Sequence, residues 1–469
     1  GITMQTALNQ SDIYKDRAYR NYFSDMRELF DYVYDIIDVP GMSLFQNIEK
    51  LREHKIYNVD PKMLTAIIEA KLEQYFSNFE CPICGRKCSH NRKSKRHIET
   101  TYGTISFDSP YYKCKKCGKF YEPYVSALNL RKGKYQYDVQ KIVAKVASSV
   151  PFDETAEILY DTHGLSLSQA TVHELTNELA AHARLEEISP EAATIHEIIE
   201  QATRPNKARP VLVFAADGAM SPTRTEKGKS HAWKEAKGIR VYLLDGQHLA
   251  QVLSWHQICD KQRIKSFLQQ IKQQNLFPED KVRICCIGDA AGWIWEAMDE
   301  AFPDARQILD YYHCQEHIHE FANARFADKA ARDQWLRETT NRLFQNKISS
   351  VLAGLKRMEL TGETAEKRDS LYSYLSKNKH RVDYGKAKRG GYPLGSGAIE
   401  SANKFINHIR LKRSGAWWKI ELANNILALR CSRYNNSFDR FFAAYEKSQR
   451  QDLGPAQPHL SLCQGGGRK

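Results

Sequence analysis

Lys281-Val-Arg-Ile-Cys-Cys-Ile-Gly-Asp289 is a short, mostly apolar run closed by an acid, and Pro210-Val-Leu-Val-Phe-Ala-Ala-Asp217-Gly218 is a second of the same kind. Runs of this length, bounded by Gly, Pro or Asp, read as buried strands. In an open α/β sheet, ligand-binding and reactive groups gather at the carboxyl ends of the strands, and both acids are expected there. Between them lie Gly238-Ile-Arg-Val-Tyr-Leu-Leu-Asp245 and Ala250-Gln-Val-Leu-Ser-Trp-His-Gln-Ile258, two more strand-like runs joined through Asp245-Gly246. Residues 261–276 are patterned as an amphipathic helix, residues 292–301 as another helix and residues 306–309 as a short strand. The expected order is therefore strand, hairpin, helix, strand, helix, strand. Asp245 rivals Asp217 as the first acid, since it too precedes Gly after an apolar run. Asp-Gly between two strands is a favoured tight turn, however, and Asp217 is preferred.

A third acid stands far downstream, in Gly395-Ser-Gly-Ala-Ile-Glu400-Ser-Ala-Asn-Lys404-Phe-Ile-Asn-His-Ile-Arg410-Leu-Lys412-Arg413-Ser-Gly-Ala-Trp417-Trp418. A carboxylate at a Gly-rich helix entrance can hold a hard divalent cation. Lys404, Arg410, Lys412 and Arg413 can neutralise phosphates, and Trp417 and Trp418 offer faces for stacking on bases. Each feature has an ordinary counterpart. Glu400 and Lys404 also form an exposed helix pair, and adjacent Trp residues on a helix point about 100° apart, so one of them is expected to be a core anchor. The gap from Asp217 to Asp289 holds a hairpin, a helix and a strand, whereas the gap from Asp289 to Glu400 is far more than one helix needs. Residues 326–377, charged and helical in pattern, read as an insertion.

Ile287-Gly-Asp-Ala-Ala-Gly-Trp-Ile-Trp295, Ile308-Leu-Asp-Tyr-Tyr-His-Cys-Gln-Glu-His317 and Pro393-Leu-Gly-Ser-Gly-Ala-Ile-Glu-Ser-Ala-Asn-Lys404 complete the pattern. With this order of elements, they resemble the RNase H-like fold of DDE transposases. The resemblance is closest to the Mutator-like group of bacterial insertion-sequence transposases, in its Kra4-related subgroup, and extends from about residue 81 to about residue 445. It implies that Asp217, Asp289 and Glu400 are catalytic and hold two magnesium ions, for which manganese can substitute. The implied chemistry is in-line attack on a phosphodiester without a covalent enzyme intermediate. The resemblance further implies cleavage at the ends of a mobile element and joining to double-stranded target DNA by a homo-oligomer, with an all-helical insertion in the long gap. Asp310 and His313 match a family motif of an Asp or Cys, two residues, then His, which suggests support of the active site; a structural hydrogen-bonded pair is the other reading. His317 reads as a satisfied surface histidine. Two alternatives to a transposase remain: a DNA-binding regulator that has lost its chemistry, and a simple metal-dependent nuclease that cleaves without joining.

Upstream, Cys81-Pro-Ile-Cys84-Gly and Cys114-Lys-Lys-Cys117-Gly are two knuckles, each followed by Gly, around a strand-like span. Two thiolates from each complete a closed tetrahedral site, the pattern of a structural zinc ribbon holding one Zn2+, with Cys88 and His90 as alternative ligands. A disulfide framework fits poorly: the chain is long, shows no signal peptide and has 11 cysteines, an odd number. Arg92, Lys93, Lys95 and Arg96 lie between the knuckles, where a basic run is either a solvated loop or a phosphate-facing surface. Further on, Asp153 to Tyr160 reads as one helix and Ser166-Leu-Ser-Gln169 as a capping box opening a second, so the pair is either a DNA-reading helix-turn-helix or a plain helical hairpin.

The fold class expected is thus multidomain α/β. An N-terminal helical region (residues 1–78) precedes a zinc ribbon (79–124) and a helical, helix-turn-helix-like DNA-binding region (125–203). An RNase H-like core (204–325 and 391–450) follows, interrupted by an all-helical insertion (326–390), and the chain ends in a disordered tail (451–469). The 469 residues carry a net charge of +13, which favours a polyanionic partner. No apolar run reaches membrane-spanning length, and the resemblance implies a cytoplasmic, nucleoid-associated bacterial protein.

Overall fold

The computed structural model describes residues 10–36, 61–128, 130–205, 207–224, 231–246 and 248–451. The expected disordered tail therefore lies, apart from residue 451, outside the described residues. Two compact units divide the chain: Gly1–His182 with Phe442–Lys469, and Ala183–Phe441.

In the first unit, helices Gln10–Ile36 and Pro61–Phe76 meet through the small side chains Ala18, Ala66 and Ala70. Strands β1 (Ser89–Thr100), β2 (Gly103–Lys113) and β3 (Phe120–Tyr121) form an antiparallel sheet in that order. Ile98, Ile105, Phe107 and Tyr112 pack with Leu72 and Phe76 of the second helix, which gives the small sheet its apolar backing. Three helices follow: Tyr137–Ala147, Phe152–His163 and Gln169–Ala180, cored by Val139, Val143, Leu159, Leu165, Val172 and Leu175. Gly164 closes the second of these in the left-handed conformation at φ 61. The third is capped by Ser168, whose Oγ accepts from the Thr171 amide at 3.1 Å, and not by Ser166 as expected. Leu165 is drawn into the core, so the chain stays extended for two more residues before it can wind.

The second unit holds β4 (Val211–Thr223), β5 (Ala232–Asp245), β6 (His248–Ile258), β7 (Arg283–Gly288) and β8 (Arg306–Leu309) in one sheet of order β6-β5-β4-β7-β8. The first three strands are an antiparallel meander, and β7 and β8 add in parallel to β4. Helices Lys261–Gln273 and Gly292–Ala301 make the connections into β7 and β8. The Lys261–Gln273 helix buries Phe267 against Trp255, ring centroids 4.3 Å apart. Residues 183–203 belong to this unit, so the division falls earlier than the expected 203/204: Ile195 and Ile199 are fully buried, and Asn435 and Ser437 both donate to the Ile188 carbonyl, at 2.8 and 2.6 Å. The long gap is filled by helices Lys329–Phe344, Ile348–Arg357, Gly362–Lys377 and Tyr384–Arg389. Among the described residues no helix is long and apolar enough to cross a membrane.

The helix carrying Glu400 is irregular. It is α over Gly397–Ala402, π over Asn403–His408 and α again over Ile409–Leu411. Ile399, Asn403, Asn407 and Leu411 are all buried. Positions four apart drift round a regular α-helix, and the wider π turn takes up that drift, keeping this row against the sheet.

Candidate active site and metal centre

The β4–β7 pairing ends at Ala216 opposite Gly288, so Asp217 and Asp289 emerge side by side on neighbouring strands about 5 Å apart. Gly288 permits this approach: a Cβ there would sit 2.9 Å from the Ala216 carbonyl oxygen. Asp289 follows the last residue of its strand as expected, but Asp217 does not end its own. Beyond it Gly218 to Thr223 stay paired with β5, and the acid lies where β4 loses its β7 neighbour rather than where β4 stops. Asp245 is excluded from this place, since it sits in the β5–β6 turn at the opposite end of the sheet, about 20 Å along the strand from Asp217.

Both aspartates are half-buried and already engaged. Asp217 Oδ1 accepts from the Gly218 amide and Oδ2 from Asn403 Nδ2, each at 2.8 Å, while Asp289 Oδ1 accepts from the Ala291 amide at 2.9 Å. A carboxylate has about four lone-pair sites, so these bonds leave room for further ligands. Glu400 is exposed on its short helix, which packs on β4 and β5. The Asp217 carboxyl titrates above its ordinary range. Burial is the main cause; the Gly218 amide opposes it, the negative charges of Asp289 and Glu400 add to it, and His313 offsets part of it. The three acids and His313 therefore share one electrostatic neighbourhood.

Asp310 is fully buried. Its Oδ1 accepts from the His313 amide at 2.9 Å, capping helix Tyr311–Arg325, and its Oδ2 accepts from the Ser396 amide at the entrance to the Glu400 helix. The Asp310 amide in turn donates to the Gly288 carbonyl at 2.8 Å. It joins three backbones rather than facing a substrate. His313 is half-buried; burial lowers its pKa, but Asp310, Glu316 and Asp289 together outweigh that and raise it. His317 lies against Tyr374, ring centroids 4.1 Å apart.

Two residues of this site went unread in the sequence. Asn403, one turn beyond Glu400, bonds Asp217, and its Oδ1 meets Nε2 of the buried His256 at 3.0 Å. Its place three residues after Glu400 was the available signal. His256 carried none beyond its strand.

The basic segment behind Glu400 separates into two parts. Lys404, Lys412 and Arg413 are exposed, whereas Arg410 is 3% exposed, its guanidinium 4.8 Å from the Trp418 ring centroid. Trp418 is buried too, donates from Nε1 to the Leu411 carbonyl at 3.2 Å and bridges to Thr223. Trp418 is thus the core anchor expected of one of the two tryptophans and leaves the DNA-contact set, and Arg410 is buried beside it, a correction to its expected part in DNA contact. Arg410 lies in the last turn of the helix, which ends at Leu411, and the returning loop presses Trp418 onto the edge of β4. Trp417 is half-buried and stacks on His231, centroids 4.3 Å apart. On β1, Arg92, Lys93 and Lys95 are exposed, with Arg92 over Tyr111 and Lys93 near Glu73; Arg96 pairs with Glu122.

In the first unit, Cys81, Cys84, Cys114 and Cys117 bring their sulfurs within 4.8 Å of one another. The knuckles are alike: the Gly85 amide donates to the Cys81 carbonyl and the Gly118 amide to the Cys114 carbonyl, both at 2.8 Å, with the glycines at φ 67 and 69. Sulfur separations of 4.0 Å (Cys81–Cys117) and 3.6 Å (Cys84–Cys114) bracket the roughly 3.8 Å edge of a tetrahedron with zinc–sulfur bonds near 2.3 Å. The cluster could hold a metal such as zinc. Cys88 turns toward the Arg86 carbonyl, and neither it nor His90 belongs to the set. Among the described residues no other group of three or more acids, Cys or His is gathered this tightly, so the three carboxylates stand further apart than the thiols.

No family model matches this chain, and no curated protein does. Among the solved structures that match is the Drosophila P element transposase strand transfer complex, at a TM-score of 0.24 and 10% identity over 68% of this chain and 82% of that one, a superposition too loose to carry an argument about this chain.

Proposed function

We propose that the chain is a DDE transposase of the Mutator-like group, which cleaves the ends of a mobile element and joins them to target DNA. The observation that carries this reading is the emergence of Asp217 and Asp289 side by side from the parallel β4–β7 pair, within electrostatic reach of Glu400 and His313. The meander of three strands extended by two parallel ones is the strand order of an RNase H-like core, and the helices over 329–389 stand where the all-helical insertion is expected.

Asp217, Asp289 and Glu400 form an oxygen-rich, anionic donor set suited to two hard cations, magnesium or manganese. When bound, such ions supply Lewis acidity and charge neutralisation for in-line displacement at phosphorus. The chain's own residues do the rest. Asp310 fixes the entrance of the Glu400 helix to the ends of β7 and β8. His313, its pKa raised by Asp310, Glu316 and Asp289 against burial, lies within electrostatic reach of the aspartates. Lys404, Lys412 and Arg413 offer cations to the DNA backbone, Trp417 a stacking face, and β1 a second basic surface. The four cysteines hold one zinc ion as a structural clasp of a zinc ribbon, and the helices Phe152–His163 and Gln169–Ala180 form a helix-turn-helix. A homo-oligomer acting on double-stranded DNA in the bacterial cytoplasm completes the reading.

The test incubates purified protein with magnesium, a candidate element end and a target plasmid, and scores cleavage and joining separately. Asp289→Asn is expected to abolish both while leaving DNA binding and the melting temperature nearly unchanged. Activity near the wild-type level in that variant overturns the assignment, and cleavage without joining by the wild type points to a simple nuclease.

A further inference from the structure

We propose that Asn403 and His256 are positioning residues that fix the Asp217 carboxylate and lock the Glu400 helix to β4. The inference rests on the reading of Asp217, Asp289 and Glu400 as one metal-binding set, and adds to it a buried polar relay. Asn403 Nδ2 donates to Asp217 Oδ2 at 2.8 Å, and Asn403 Oδ1 meets His256 Nε2 at 3.0 Å.

The amide has one workable orientation. Turned over, its oxygen would face a carboxylate oxygen, and its NH2 would require a bare Nε2 on His256. The imidazole would then carry its proton on Nδ1, which is buried without a partner among the described residues. As placed, neutral His256 donates from Nε2, Asn403 accepts and passes on a donor, and Asp217 accepts. The direction of the chain of bonds is set at both ends.

Three independent features are built around this relay. Gly238 lies opposite Asp217 on β5, and a Cβ there would stand 2.6 Å from His256 Nε2 and 3.2 Å from Asn403 Oδ1, so the missing side chain clears the space for their bond. The π turn begins at Asn403, and within it Asn407 also faces the sheet, accepting from Ser221 Oγ at 3.0 Å. Asn403 follows Glu400 by about one turn, so a bond from Asn403 to Asp217 ties the height of Glu400 to the strand that carries Asp217. The relay therefore acts through the carboxylates and touches no substrate itself.

The test measures Mn2+ binding to the full-length protein by electron paramagnetic resonance without DNA, beside single-turnover cleavage at saturating Mn2+ and DNA. Near-ultraviolet circular dichroism checks that each variant is folded. Asn403→Ala and His256→Leu are expected to weaken Mn2+ binding at least fivefold and slow cleavage at least tenfold with DNA affinity unchanged. His256→Gln retains an N–H donor and should recover most of both. If Asn403→Ala binds Mn2+ and cleaves as the wild type does while Asp289→Asn has lost both, the relay is overturned and the proposed function stands. If Asp289→Asn itself behaves as wild type, the proposed function fails and the relay with it. Should Asn403→Ala not fold, equal Mn2+ binding by His256→Leu and His256→Gln overturns the relay.

Discussion

At the scale of single residues, the site is governed by how burial treats charge. His256 is wholly enclosed, and burial, with Arg240 and His408 adding to it against the Asn403 bond, brings its pKa down to about 4 from 6.5. A base whose folded pKa is depressed leaves the unfolded chain binding more protons between those values. Stability is therefore full above about pH 6.5 and falls with pH through about 4, by roughly 3 kcal/mol in total. Denaturant titrations of His256→Gln should show a shallower loss over that window. Asp217 has the opposite sign. Its folded pKa is raised, so its contribution is fully present below the ordinary carboxylate range and lost as pH rises through the folded value. Asp217→Asn is thus expected to melt higher than wild type at pH 7, with the advantage shrinking toward pH 4; magnesium should narrow the gap by stabilising only the wild type. A lower melting temperature at pH 7 would show that the bonds from Gly218 and Asn403 outweigh the desolvation and repulsion.

At the scale of elements, what was legible in the sequence was whatever depends on neighbours along the chain. The apolar runs before Asp217 and Asp289 announce buried strands, Asp245-Gly246 announces a turn, and two Cys-x-x-Cys-Gly knuckles announce a four-thiol cluster, because each pattern is satisfied within a few residues. What depends on distant pairing was not legible. Continuation of β4 through Gly218-Ala-Met-Ser is imposed by β5, which holds a sequence with little strand propensity of its own. The π turn answers a demand from the sheet beneath it, and the burial of Arg410 and Trp418 requires a loop that folds back on Thr223. The cysteine cluster gives a direct prediction. Protein dialysed against a weak chelator should retain about one zinc per chain, and Cys81→Ser with Cys114→Ser should lose it and unfold the small sheet, whose core includes Cys81 and Cys114. Zinc content unchanged by that pair would remove the thiols from the ligand set.

At the scale of the whole molecule, the net charge of +13 matters through where it is exposed. With Arg410 buried, the segment behind Glu400 offers Lys404 on the helix and, beyond the helix end, the pair Lys412 and Arg413. Each phosphate contact contributes about 0.9 to the slope of log affinity against log salt, so replacing both with Gln should flatten that slope by up to about 2 without lowering the melting temperature. An unchanged slope would place the DNA path elsewhere. The inserted helices pose a different question, since an extra stretch of chain between Asp289 and Glu400 ought to loosen the hold of one acid on the other. It does not, because the chain departs from Asp310 and is caught again at Ser396, 86 positions later, by the same carboxylate that starts the departing helix. Lengthening a closed loop is cheap, about 0.6 kcal/mol for each doubling. The segment is gathered at its base, by this clasp and by the Leu309 amide on the Arg381 carbonyl and the Tyr311 amide on the Leu394 carbonyl, at 3.0 and 2.8 Å, so its outer helices are free to vary in size and sequence without moving Glu400.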